Sequence, residues 1–218
     1  MSFNPNRALP TARSLSPGFL IASPKLDGSP FERAVVVIVH HDEEGAMGFI
    51  INKPLEIDFG SLIQSVNEDI ARKVVPNSFD VHVYFGGPVR IEQLWLIFQE
   101  HLAPGAGYTT RHSKQFLKSL EDNSTLAFAE GWFLAASGDV IEGFALGLQE
   151  GNYRPFIGYS GWGPGQLEAE IEDGSWLILD FEEDLFFDSI PAYNWDQALN
   201  RLGVDPTAFL MMGKSGIA

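Results

Sequence analysis

The residues best placed to do chemistry are His40-His41-Asp42-Glu43-Glu44, directly ahead of Gly45-Ala-Met-Gly-Phe-Ile-Ile-Asn-Lys-Pro54. An imidazole beside carboxylates is the usual equipment of a general base, so His41 with Glu44 forms a weak candidate catalytic pair. Metal sites collect ligands two apart on a strand or four apart on a helix. Adjacent histidines at a strand end instead point to opposite sides, so one of the two at most can serve a given site. His82, His101 and His112 add no ligand spacing, and neither a metal nor a cofactor is expected. The bland alternative for the cluster is a turn of solvated carboxylates. At the far end of the segment, the Asn52 amide could orient a ligand or fix a loop, and Lys53 could meet an anion.

Two glycine-rich stretches complete the candidate set. Gly86-Gly87-Pro88 lacks both the Gly-x-x-x-x-Gly-Lys-Ser/Thr spacing of a phosphate loop and the dinucleotide fingerprint, and so reads first as a tight turn. Gly158-Tyr-Ser-Gly-Trp-Gly-Pro-Gly-Gln-Leu-Glu-Ala-Glu forces a compact loop before a helix, with Glu168 near the helix start, where a carboxylate complements the dipole. Ser160 misses the nucleophile elbow, because Trp162 stands where the sharp turn needs glycine. No histidine follows it to complete a triad. Trp162 is either a loop anchor or the aromatic wall of a pocket. A ligand pocket built from Asn52, Lys53, Gly86, Gly87, Pro88, Tyr159, Trp162 and Gln166, with His41 at its rim, is the expectation, since α/β proteins place their sites at strand ends.

These residues need a scaffold, and the chain can supply one. Its 218 residues, 45% hydrophobic and 20% charged, suffice for a substantial core. Apolar runs at Gly18–Ala22, Ala34–Val39, Phe49–Ile51, Val81–Phe85, Leu94–Phe98, Thr125–Ala136, Phe156–Tyr159 and Trp176–Leu179 read as strands. Apolar residues from Phe59 to Val74 recur at three- and four-residue steps, the period of a helix. Further helices are expected after Ser137, from Gln166 to Ile171, and from Trp195 to Leu202 with Gly203 as stop. Interleaved strands and helices predict an α/β or α+β domain over residues 17–218, preceded by a mobile arm at residues 1–16.

Composition narrows the function classes. No cysteine is present, which removes disulfides, thiol nucleophiles and thiolate metal sites. The N-terminal residues lack an apolar signal core, and no apolar run approaches membrane-spanning length, so a cytoplasmic location without membrane association is expected. The net charge is −15. Residues 121–218 hold 17 acids against 3 bases, and residues 1–120 hold 12 against 11. Such a surface repels phosphate backbones and disfavours direct nucleic-acid binding. Asp180-Phe-Glu-Glu-Asp-Leu-Phe-Phe-Asp188 is the best candidate strip for a protein partner.

Taken together, Gly18-Phe-Leu-Ile-Ala-Ser-Pro, Phe31–Val39, His41 with Glu44–Pro54, Phe85-Gly-Gly-Pro-Val, Gly158–Glu170, Trp176-Leu, and Trp195 with Leu202-Gly-Val-Asp resemble the AlgH/YqgE family of bacterial proteins. The resemblance runs from about residue 18 to 206. Residues His101–Ser124 do not match clearly, and Asp180–Asp188 is more acidic than the family pattern. It implies a single compact α+β domain whose mixed sheet curls into a barrel-like shape with flanking helices. Members are described as transcriptional regulators on genetic grounds, and no enzymatic activity is attached to the family. The reading that follows is a regulatory or accessory protein working through an unknown small molecule or protein partner, of unassigned oligomeric state. The competing reading is a hydrolase or transferase using a His41/Glu44 acid–base site near Asn52.

Overall fold

The structure is a computed structural model that describes residues 14–66, 69–99, 125–148 and 151–215. His101, His112 and residues 1–13 of the expected arm lie outside the described residues. The chain forms two compact units, residues 1–48 with 161–218 and residues 49–160, and it crosses between them within one strand and returns within another.

The first unit is built on β1 (Gly18–Ala22), which runs antiparallel between β2 (Val35–Asp42) and β10 (Trp176–Asp180). Phe19 faces Val37 on one side and Leu179 on the other. Residues Phe19–Ile21 and Val35–Ile38 are almost completely buried, which is why both segments read as continuous apolar runs rather than alternating ones. The first part of β3 (Gly45–Ile50) returns beside β2 through the two-residue turn Glu43-Glu44. Helices α3 (Gln166–Glu172), α4 (Glu183–Phe187), α5 (Pro191–Arg201) and α6 (Pro206–Ser215) complete this unit. Trp195 of α5 fixes its helix to the sheet by donating its indole N–H to the Ala22 carbonyl at 2.8 Å. Gly203 ends that region in the left-handed conformation (φ 73°), as a C-terminal stop requires.

The second unit carries β4 (Pro54–Asp58), β5 (His82–Phe85), β6 (Val89–Gln99), β7 (Thr125–Ala129), β8 (Trp132–Ala135) and most of β9 (Tyr153–Trp162). Pairing is antiparallel for β4–β5, β6–β9, β6–β8 and β7–β8, and parallel for β5–β9. The sheet is therefore mixed, and the expected α+β class with flanking helices holds. Helices α1 (Phe59–Val66) and α2 (Gly138–Ala145) cover a core of Phe59, Ile63, Ile70, Val83, Leu96, Phe98, Val140 and Phe144. Ser137 caps α2 as its sequence suggests, accepting the Val140 N–H at 3.3 Å, a contact that contributes about 1 kcal/mol.

The helix expected over Phe59–Val74 is shorter than its pattern. It ends at Val66, and a separate 3-10 turn occupies Ala71–Lys73. Ile63 and Ile70 nevertheless both enter the core and Leu62 and Val74 pack against it, while Val66 is 70% exposed. The three- and four-residue period here encodes a common buried face, and one continuous helix is not needed to present it.

Candidate functional site

The candidate residues divide between the two units. Asn52, Lys53, Gly86, Gly87, Pro88 and Tyr159 lie in the second, and His41, Glu44, Trp162 and Gln166 lie in the first.

In the second unit the two glycine motifs meet backbone to backbone. The Gly86 N–H donates to the Ile157 carbonyl at 2.9 Å, and the Gly86 carbonyl accepts from Ile50 N–H at 2.9 Å and from Ser160 Oγ at 3.0 Å. A Cβ on Gly86 would stand 2.3 Å from the Gly158 carbonyl oxygen, and one on Gly87 (φ 149°) would stand 2.4 Å from the Tyr159 carbonyl. Glycine is required here for close approach as well as for conformation. Ser160 is fully buried with its hydroxyl committed to Gly86, which suits a structural joint and not a nucleophile.

Above this joint β6 bulges. Val89 is paired with Tyr159 and Leu94 with Ile157, so four residues, Arg90–Gln93, stand against the single residue Gly158. Arg90 takes a left-handed conformation (φ 48°) to make the bend. Beyond the bulge, Trp95 packs edge-on to both Phe49 and Tyr159 with ring centroids 5.8 Å from each. Its indole Nε1 is buried and has no hydrogen-bond partner among the described residues. Nearby in sequence, Lys53 supplies its carbonyl to Phe85 N–H at 2.9 Å, and Asn52 and Lys53 are both half-buried. The preceding carbonyl, Ile51, accepts from Arg154 Nη1 at 3.0 Å. Arg154 is buried and lies 4.4 Å over the Tyr84 ring; burial pulls its pKa below the ordinary arginine value, and Tyr84 acts in the opposite direction.

Sequence reasoning passed over Arg154 and Trp95. Arg154 was visible in principle, since it is the only base between Lys118 and Arg201 and interrupts an otherwise apolar strand. Trp95 gives no such signal, because Leu-Trp-Leu-Ile-Phe reads as ordinary core.

In the first unit His41, only 10% exposed at its side chain, joins Glu168 and not Glu44. Its Nε2 lies 2.9 Å from Glu168 Oε1, and its Nδ1 accepts from Leu15 N–H at 3.0 Å. Burial by itself would raise the Glu168 carboxyl; its own backbone N–H, together with the hydrogen bond and charge of His41, outweighs that and holds it below the ordinary value. Glu44 is exposed in the hairpin turn, where its N–H donates to Asp42 Oδ1 at 2.8 Å, and His40 turns outward to Asp42 Oδ2 at 2.9 Å.

Trp162 and Gln166 serve a closed network. Glu170 Oε2 accepts the indole N–H groups of Trp162 at 2.9 Å and Trp176 at 2.8 Å, and Oε1 accepts Gln166 Nε2 at 2.9 Å. Gln166 Oε1 in turn accepts from Gly163 N–H at 3.1 Å. Gly45 (φ 133°) closes against this loop so tightly that a Cβ there would be 2.2 Å from the Trp162 carbonyl oxygen. The acidic strip 180–188 is partly neutralised, since Arg201 donates to Glu182 and makes two bonds to Asp184 at 3.0 and 2.7 Å. Among the described residues, no group of three or more His, Cys, Asp or Glu side chains could hold a metal ion. No helix among them is long and apolar enough to cross a membrane.

Fold and sequence together define a cysteine-free acidic α+β protein whose glycine motifs are backbone joints. The AlgH-like family model matches residues 19–207. The UPF0301 protein of Anaeromyxobacter dehalogenans strain 2CP-C is 32% identical over 200 residues, covering 91% of this chain and 93% of its own. A UPF0301 protein of Paracoccus denitrificans is 32% identical over 194 residues, with coverage of 88% and 92%. The solution structure of the AlgH protein from Pseudomonas aeruginosa superposes with a TM-score of 0.68 at 28% identity, covering 93% of this chain and 95% of that one. A Corynebacterium diphtheriae protein, DIP2367, shares the fold with a TM-score of 0.62 at 18% identity, covering 97% and 93%. The chain belongs to the AlgH-like family.

Proposed function

We propose that this chain is a cytoplasmic regulatory or accessory protein that acts through a bound small molecule or a protein partner and not by gripping nucleic acid. The observation that carries the reading is the buried indole N–H of Trp95, without a partner among the described residues, beside Tyr159, whose backbone lies against Gly87. Leaving such a donor unsatisfied costs about 1–3 kcal/mol, and native proteins retain few of them. A ligand oxygen that accepts from Trp95 and packs against Tyr159 recovers that cost on binding. The ligand set in this reading is Asn52, Lys53, Gly86, Gly87, Pro88 and Tyr159 with Trp95 added; Trp162 and Gln166 are held to Glu170 and contribute order to the first unit.

Charge supports the exclusion of nucleic acid. The first unit's residues hold 16 acids against 6 bases (−10), and the second unit's hold 13 against 8 (−5). A His41/Glu44 acid–base enzyme draws less support, because both ring nitrogens of His41 are occupied and Glu44 is not its partner. The test is a thermal-shift screen of the protein against a metabolite and nucleotide panel and a duplex DNA, with Asn52→Ala in parallel. A compound that raises the Tm of the parent alone is expected, with no response to DNA. Stabilisation by DNA, or equal shifts in both proteins for every compound, would refute the reading.

A further inference from the structure

His41 ties three pieces of the first unit together, and it does so in one protonation state only. Nδ1 accepts the Leu15 N–H at 3.0 Å, so Nε2 carries the ring hydrogen and donates it to Glu168 Oε1 at 2.9 Å. The backbone of His41 adds a second tie, since its carbonyl accepts from Ser14 Oγ at 3.1 Å, and Ser14 Oγ in turn accepts from Ser16 N–H at 3.1 Å. The neutral Nε2–H imidazole thus bridges the segment Ser14–Ser16 to α3. A second proton on the ring would sit on Nδ1 and point at another donor, the Leu15 N–H. The Leu15 bond would be lost while the Glu168 contact became a full ion pair.

We propose that His41 is a proton-operated latch: the neutral imidazole holds Leu15 against the end of β2, and the imidazolium keeps Glu168 and releases Leu15, leaving the Ser14–Ser16 segment held by the His41 carbonyl alone.

The titratable groups on the elements packed against the ring are few and mostly paired with one another. On β2, His40 and Asp42 are paired with each other at the surface, and Glu43 and Glu44 follow in the turn. On α3, Glu168 contacts the ring, Glu170 is committed to Trp162, Trp176 and Gln166, and Glu172 is exposed. Asp180 stands opposite Gly18 at the end of β10, and Lys25 is paired with Asp173. Neither Ser14–Ser16 nor Gly45–Gly48 carries an ionisable side chain. Leu15 also sits close to the start of β1, where its carbonyl oxygen lies 2.6 Å from where a Gly18 Cβ would be.

The test is amide hydrogen exchange at Leu15 in the full chain between about pH 8 and about pH 5.5, the range in which imidazoles titrate, after correction for intrinsic exchange. Protection is expected to fall about fivefold or more as the pH drops, the loss of one hydrogen bond. His41→Asn should show no such pH response. Glu168→Gln keeps an acceptor but removes the charge that favours the imidazolium, so its transition should move to lower pH. Ring nitrogen NMR above the transition should report the Nε2–H tautomer. Unchanged Leu15 protection across the range, the same response in His41→Asn, or an Nδ1–H tautomer would each overturn the latch.

Discussion

Glu170→Ala isolates what the Trp162 loop does. In the parent, one carboxylate oxygen receives two indole N–H groups, from Trp162 (6% exposed) and Trp176 (2% exposed), and the other oxygen receives Gln166. Alanine leaves both indole donors without their acceptor. A buried unsatisfied donor costs about 1–3 kcal/mol, and Glu170 is half-buried, so water entering the shortened site recovers part of that. The net loss expected is about 2–4 kcal/mol. For a chain of this length that lowers Tm by roughly 4–16 °C. Glu170→Gln keeps one acceptor oxygen and should cost about half as much. Urea unfolding followed by tryptophan fluorescence reads the difference directly, because both affected indoles report on their own site. A Glu170→Ala protein within about 0.5 kcal/mol of the parent would refute the reasoning and return Trp162 and Gln166 to the list of residues free to bind a ligand.

Two further substitutions probe other joints. Gly87→Ala places a Cβ 2.4 Å from Ser160 Oγ and from the Tyr159 carbonyl at a φ of 149°, and should destabilise by more than about 3 kcal/mol in denaturant titration, if the protein accumulates in soluble form at all. Asp58 caps α1, accepting from Ser61 N–H at 2.7 Å and from Ser61 Oγ at 2.8 Å; the Ser61 N–H, against the opposing effect of burial, holds its carboxyl below the ordinary 3.8. Its folded pKa is depressed, so the stabilisation is present above 3.8 and is lost as pH falls through the lower folded value. Asp58→Ala should therefore cost about 1–2 kcal/mol at neutral pH and progressively less in acid, as measured by unfolding at a series of pH values.

The strands were legible because their apolar runs are buried on both faces, as Phe19–Ile21 and Val35–Ile38 illustrate. The α2 cap was legible because Ser137 sits directly before an apolar period. The helix α4 was not, because Asp180–Asp188 declares itself by charge, while Leu185 and Phe186 between the acids are what anchor it in the core. In the candidate site, the glycines of Phe85-Gly-Gly-Pro and Gly158-Tyr-Ser could be recognised as special, but not that they press on each other, since backbone approach between distant segments has no local period. The partner of His41 was hidden for the same reason, as Glu168 lies 127 residues away. The unsatisfied Trp95 N–H is a property of what surrounds it, and no residue type announces it.

The most direct test of the central claim follows the indole N–H resonance of Trp95 in a nitrogen-15 spectrum as the metabolite and nucleotide panel is added in pools, with Trp95→Phe as control for assignment and binding. A stabilising pool is expected to move this resonance and slow its exchange with water, and the same pool to bind the Trp95→Phe protein more weakly. A pool that stabilises both proteins equally while the Trp95 resonance stays fixed would contradict it.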